Sequence, residues 1–307
     1  MSTVVDRLRA GRGDFLLFGL TPPKASHGPD DLRRIADATL ARLDAVRPDG
    51  LALYDIAEEH DRNPAERPFP FLPTLDPAEY LDAHLPAWRG SSVVYRAVGK
   101  YTDAELAAWM AEQPVDRVAS VLVGASSSRD VGATSLGRAY EVRREVRPDL
   151  LTGAVVIPER HARRGDEHLR MLRKQESGVS FFVSQILFDT NAAKDLVADY
   201  RDECDARGVD PVPLVLTHSI CGSVRTLDFL QWLGVQVPRW AQRDLRRAED
   251  TLEASYEQAR AFAAEMVRYC RRVEVPVGLN VESVSTRRVE IEAAVRLAGD
   301  LRSVLEA

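Results

Sequence analysis

Eight short apolar runs rich in β-branched residues recur along this chain, at residues 15–20, 51–56, 93–98, 118–123, 152–157, 179–188, 212–217 and 275–281. A run of that length with little polar alternation describes a strand buried on both faces, as in a parallel sheet. Helical periodicity fills the stretches between. Residues 31–46 place Leu32, Ile35, Leu40 and Leu43 at helical spacings after Pro29-Asp30, and residues 103–112 follow Thr102 with Glu105 three positions on, a capping-box pattern. Residues 190–208 open near Asp189 and stop at Gly208. Residues 245–272 read as one long helix with Leu252, Tyr256, Phe262 and Met266 as core contacts, and residues 287–305 form the last. Eight strand-then-helix units in 307 residues, with no break in composition, predict a single (β/α)8 barrel over residues 1–307. The rival is a doubly wound sheet, which carries a Gly-rich phosphate turn after its first strand. Here that turn reads Thr21-Pro22-Pro23-Lys24, and no G-x-G-x-x-G occurs. The Pro-rich residues 63–77 carry Phe69, Phe71 and Leu72, so they read as an ordered loop packed near a site rather than a linker.

Composition narrows the function classes. Hydrophobic residues make up 45% of the chain, enough for a large core, and the net charge of −6 comes with Lys and Arg scattered along the sequence. That distribution lacks the basic face of a nucleic-acid binder. Cys204, Cys221 and Cys270 lie far apart without C-x-x-C spacing, which suits a reducing compartment and gives neither a disulfide framework nor a zinc site. The N-terminal stretch is polar, and no apolar run approaches the about 18 residues that span a bilayer. The expectation is a soluble cytoplasmic protein without a membrane partner.

In a (β/α)8 barrel the chemistry sits at the C-terminal ends of the strands. That rule selects Thr21 and Lys24; Tyr54, Asp55, Glu58 and Glu59; Arg96 and Lys100; Ser126, Ser127, Ser128 and Arg129; Glu159 and His161; Gln185 and Asp189; His218 and Ser219; and Asn280, Glu282 and Ser283. Glu282 ends an apolar strand, where an acid must be paired or used. Glu58-Glu59 is either a solvated loop pair or a source of a carboxylic acid, held neutral by partial burial, that protonates a substrate nitrogen. Gln185 offers two donors and two acceptor lone pairs, which suit the edge of a heterocycle or a buried amide met by backbone. His161 and His218 lie on different units and have no metal-ligand spacing, so no metal is expected. Residues 124–128 could cradle phosphate, and the absence of a G-x-S-x-G elbow argues against a hydrolase built on Ser127.

Several phrases resemble the methylenetetrahydrofolate reductase family. Phe18-Gly19-Leu20-Thr21-Pro22-Pro23 is similar to its first strand, which ends in an acid, two residues and Pro-Pro. Ile157-Pro158-Glu159-Arg160-His161 resembles its Tyr-Pro-Glu-x-His. Lys174 to Gly178, followed by Val183-Ser184-Gln185-Ile186-Leu187-Phe188-Asp189, resembles its Lys-x-x-x-Gly and Thr-Gln-x-x-(Phe/Tyr)-Asp, and Val237-Pro238-Arg239-Trp240 its Ile-Pro-x-Trp. In order and spacing these cover nearly the whole chain. The resemblance implies a TIM barrel and a folate substrate whose pterin meets Gln185. It places His161 and Lys174 at flavin-lining positions. Among the other strand-end residues, Gly124, Ser126 and Arg96 are assigned to the cofactor side and Asn280, His218, Tyr54 and Asp55 to the substrate side.

The departures bear on chemistry. Gly19 replaces the strand 1 acid, Ala125 replaces an acid near the flavin, and Tyr54 replaces a flavin-contacting threonine. Residues 56–62, Ile-Ala-Glu-Glu-His-Asp-Arg, and Leu279-Asn280-Val281-Glu282 resemble a flavin-free actinobacterial branch of the family. The reading implied is NADH- or NADPH-dependent reduction of 5,10-methylenetetrahydrofolate to 5-methyltetrahydrofolate, with FAD weakly bound or absent. Glu58, Glu59 or Glu282 then supplies the proton. The alternatives are a folate-dependent one-carbon transferase or imine reductase with changed chemistry, and an inactive folate-binding protein.

Overall fold

The structure, a computed structural model, describes residues 2–57, 66–124 and 132–307. In chain order its elements are α1 (Val4–Arg9), β1 (Leu16–Leu20), α2 (Pro29–Val46), β2 (Gly50–Leu53), α3 (Pro77–Glu79, continued by a π turn), β3 (Ser91–Ala97), α4 (Asp103–Glu112), β4 (Val118–Val123), α5 (Leu136–Val146), β5 (Thr152–Val156), α6 (Pro158–Arg164), α7 (Glu167–Glu176), β6 (Phe181–Ile186), α8 (Thr190–Arg207), β7 (Leu214–Ser219), α9 (Val224–Trp232), α10 (Arg239–Arg247), α11 (Thr251–Arg272), β8 (Val277–Glu282) and α12 (Arg288–Glu306). Neighbouring strands pair in parallel, and β8 returns to β1, so the sheet closes into an eight-stranded barrel. All eight expected strands are present, with ends shifted by a few residues.

Alternation along each strand divides the core in two. Phe15, Leu17, Ala52, Val93, Tyr95, Val121, Phe181, Val183 and Val215 fill the barrel interior. The intervening residues, such as Leu16, Leu51, Leu53, Val94 and Leu216, pack outward against the helices. Two large rings fit inside because glycines face them. A Cβ on Gly153 would stand 2.5 Å from the Phe181 ring, and one on Gly278 would stand 2.8 Å from that of Phe15. Large and small side chains thus interdigitate at interior density.

Two features of the helical layer depart from the sequence reading. Helix α1 lies in a stretch read only as polar, yet Thr3 and Asp6 form a capping box across its first turn. Its Val4, Val5 and Leu8 join the interior cluster with Phe15 and Leu17. Each such burial contributes about 1.5–3 kcal/mol as an upper estimate. The single helix expected over 245–272 is two, α10 and α11. Ala248 takes an extended conformation after α10, and the Asp250 carboxylate accepts the Glu253 N–H at 3.1 Å to start α11. An Asp carboxylate that takes the N–H three residues on caps the start of the second helix. No helix among the described residues is long and apolar enough to cross a membrane.

Candidate active site

The interior-facing positions at the C-terminal mouth bring Gly19, Tyr54, Tyr95, Thr217, Asn280 and Glu282 together. Gly19 of β1 is in register with Glu282 of β8, and Ser219 of β7 flanks Glu282 on its other side. A Cβ on Gly19 would stand 2.9 Å from the Glu282 Cβ and 3.0 Å from the Tyr54 hydroxyl. The missing side chain on β1 is therefore what lets an acid from β8 and a phenol from beyond β2 close over that strand.

Asn280 is fully buried beneath them. Its Nδ2 donates to the Tyr54 hydroxyl at 2.7 Å and to Thr217 Oγ1 at 3.3 Å, while its buried Oδ1 has no partner among the described residues. The Tyr54 and Tyr95 rings meet edge to face with centroids 4.8 Å apart. Burial pushes the Glu282 carboxyl up to about 7, against the opposing pull of the Tyr54 hydroxyl. Burial, then the charge of Glu282, raises both phenols. At neutral pH this group therefore holds two protonated tyrosines and one carboxyl able to give up or take a proton, the balance that general acid–base work needs.

Other expected site residues are held by the protein itself. The Asp55 side chain is 1% exposed and accepts from the Ala97 N–H at 2.9 Å, from the Tyr101 hydroxyl at 2.8 Å and from Lys100. Arg96, placed on the cofactor side from its position at the end of the third strand, points outward, one residue after inward-facing Tyr95. It pairs with Asp76, and its guanidinium lies 4.1 Å from the Trp109 ring centroid. His218 shares the outward face of Leu214 and Leu216, so it too belongs to the helical side of the barrel rather than to the mouth.

The cofactor-side residues are also dispersed. His161 lies on α6 with Nε2 2.9 Å from Asp199 Oδ2 of α8, and its ring meets that of His168 edge to face. Lys174 donates to the Val155 carbonyl at 2.9 Å in a groove that also holds Tyr140 and Arg170, and burial pushes its amine down to about 8. Gly124 follows β4 next to Leu136. Glu58, Glu59 and Ser126 lie outside the described residues. Gln185 is half-buried at the end of β6, where a register irregularity against β7 intervenes, and its Nε2 donates to the Leu233 carbonyl at 3.3 Å. No hydrogen bond among the described residues joins it to the Tyr54–Asn280–Glu282 group.

Tyr95 and Thr217 were not singled out in the sequence, although two-residue alternation from Val93 and Val215 points to both. Glu159 was, and it is buried with both carboxylate oxygens unpartnered. The partners of Asp55 and Arg96 come from separate segments, and nothing local announces them.

His218 has a measurable consequence. It is fully buried with neither ring nitrogen partnered, and burial pushes it from 6.5 down to about 4. The unfolded chain binds this proton at higher pH than the native one. The contribution to stability is therefore present above pH 6.5 and lost as pH falls through about 4. A loss of about 3 kcal/mol across that window is expected from this site. Urea unfolding at neutral and acid pH should show a smaller decline in His218→Leu than in wild type; equal declines would contradict the assignment.

No protein-family model and no curated protein matches the chain. Among solved structures it is similar to an uncharacterized protein from Clostridium thermocellum that binds two copies of 5-methyl-5,6,7,8-tetrahydrofolic acid. Identity is 34% over 97% of this chain and 98% of that one, with a TM-score of 0.85. A psychrophilic glycoside hydrolase family 10 endo-beta-1,4-xylanase, 9% identical with a TM-score of 0.51 over 95% of this chain and 98% of that one, shares the fold alone.

Proposed function

Because the chain belongs to the same family as the folate-binding Clostridium thermocellum protein, we propose that it binds a reduced folate at the C-terminal mouth of its barrel and is a methylenetetrahydrofolate reductase-like enzyme. The reaction is reduction of 5,10-methylenetetrahydrofolate to 5-methyltetrahydrofolate by NADH or NADPH. The observation that carries this reading is the position of Glu282. It lies across from Gly19, in register with the strand that bears the acid in the resembling family, and its carboxyl holds its proton up to about 7.

In the proposed reaction Glu282 donates a proton to N10 of the substrate, the bond from N10 to the bridging carbon breaks, and a 5-iminium forms. The dinucleotide delivers hydride to that carbon, which becomes the methyl group, and Glu282 regains its proton from solvent. Tyr54 and Asn280 hold the Glu282 side of the mouth, and the unpartnered Asn280 oxygen offers an acceptor to a ligand N–H. Gln185 keeps its amide oxygen for the pterin edge. Positioning substrate, acid and donor together is the larger share of the task.

The residues assigned to flavin by resemblance do not fit one as placed. His161 pairs with Asp199, and Lys174 holds a strand carbonyl in an outer groove. Freshly purified protein is expected to lack stoichiometric flavin absorbance bands; their presence would return the protein to flavin-dependent chemistry.

The test of the reading is folate-dependent oxidation of NADH or NADPH. Binding of 5-methyltetrahydrofolate without any turnover would instead indicate a folate-binding protein. Turnover of the folate without dinucleotide oxidation would indicate one-carbon transfer.

A further inference from the structure

We propose that His161, His168 and Asp199 form a binding site for a divalent transition metal that clips α6 and α7 to α8. The residues come from three consecutive helices. Gly165, at a φ of +69°, ends α6 in a left-handed turn, and its N–H donates to the His161 carbonyl at 2.7 Å. This turn folds α7 back, so that His168 in its first turn stands against His161. The ring centroids are 5.1 Å apart and the planes nearly perpendicular. One nitrogen from each imidazole and one Asp199 oxygen lie within 4.8 Å of one another.

Hydrogen bonding leaves this cluster incomplete. His161 is 5% exposed, and its Nε2 has Asp199 as a partner. Nδ1 of His161 and Nδ1 of His168 are buried and have no partner among the described residues. Enclosing polar nitrogens without partners is unfavourable. A cation that takes a lone pair from each ring, and replaces the proton between His161 and Asp199, gives His168 a partner that the protein does not.

The donor set selects the ion. Two neutral imidazoles and one carboxylate carry a single negative charge and suit Zn(II), Co(II) or Ni(II), whereas Ca(II) and Mg(II) prefer oxygen ligands throughout. Donors around a tetrahedral zinc lie about 3.4 Å apart when bonds are about 2.1 Å. The Asp199 side chain is 52% exposed with its Oδ2 already 2.9 Å from His161 Nε2, and water completes the coordination. Three protein ligands from three helices, outside the Tyr54–Asn280–Glu282 group, tie α6 and α7 to α8 and leave one coordination position open to water.

The experiment uses tag-free full-length protein, stripped with chelator and titrated with Co(II) and then with competing Zn(II). One saturable site per chain is expected, with the visible absorption of Co(II) bound to nitrogen and oxygen ligands and a raised thermal midpoint. His168→Ala leaves the His161–Asp199 pair in place. Asp199→Asn changes a half-exposed side chain, so that one variant remains informative if the other is poorly folded. Removing a ligand should weaken binding at least as much as removing an outer-shell partner does, by about tenfold or more. Absence of saturable binding in the wild type at micromolar metal, or unchanged affinity in a folded variant, would overturn the site.

Discussion

Glu282→Gln should lower kcat for folate reduction by about a hundredfold or more, within the range that loss of a general acid produces. The amide preserves shape and can still meet Tyr54, so KM for the folate should change little. The pH profile separates a proton donor from a side chain that only fills space. With its carboxyl raised to about 7, Glu282 is increasingly ionised as pH rises through that value, and the wild-type rate should fall there. The residual rate of the Gln variant should lack that limb. Stability follows the same sign. The native state holds this proton where the unfolded chain, with its ordinary value of 4.5, has lost it. Wild type therefore loses stability as pH rises from 4.5 through 7, and the variant should lose less. A Gln variant with wild-type kcat would move the proton donor elsewhere, first to Glu58 or Glu59.

Asp55→Ala should cost about 2–4 kcal/mol of folding stability, because buried donors that lose their acceptor cost about 1–3 kcal/mol each, while the Lys100 side chain is 37% exposed and its charge stays solvated. Asp55 is the hub between the end of β2 and the segment after β3. It takes the Ala97 N–H, the Tyr101 hydroxyl and the Lys100 ammonium at once. Tyr101 also reaches Asp76 at 3.0 Å, and Asp76 holds buried Arg96. Truncating Asp55 leaves a backbone donor and a phenol without their acceptor and an ammonium without its counter-charge. Denaturant unfolding should show the loss directly. A stable Asp55→Ala protein with a raised folate KM would instead make Asp55 a substrate ligand, as its position after β2 first implied.

The barrel was legible because a strand buried on both faces has few ways to be written. Eight such runs, each followed by a helical stretch, leave little choice of architecture, and capping signals at Thr102, Asp189 and Gly208 mark real helix ends. The break between α10 and α11 was hidden because an Asp inside a charged helical pattern looks like surface until its side chain is seen to cap.

The site was legible in part. Position at a strand end selected Tyr54, Asn280 and Glu282, which do meet, but the same rule selected Arg96 and His218, which turn outward. The difference is one residue of register, and a shift of one reverses the face. Gly19 reads in the sequence as a lost acid. Only the pairing of β1 with β8 shows that its missing side chain makes room for Glu282. His168 and Asp199 stand beside His161 through a turn and a third helix, which no spacing in the sequence records.

The central claim is tested most directly by anaerobic incubation of the purified protein with 5,10-methylenetetrahydrofolate and NADH or NADPH deuterated on the transferring face, followed by mass analysis of the folate. The account predicts 5-methyltetrahydrofolate carrying one deuterium in its methyl group, formed in step with dinucleotide oxidation and nearly abolished in Glu282→Gln. Recovery of unchanged methylenetetrahydrofolate with both dinucleotides, from protein that binds the folate, would contradict it.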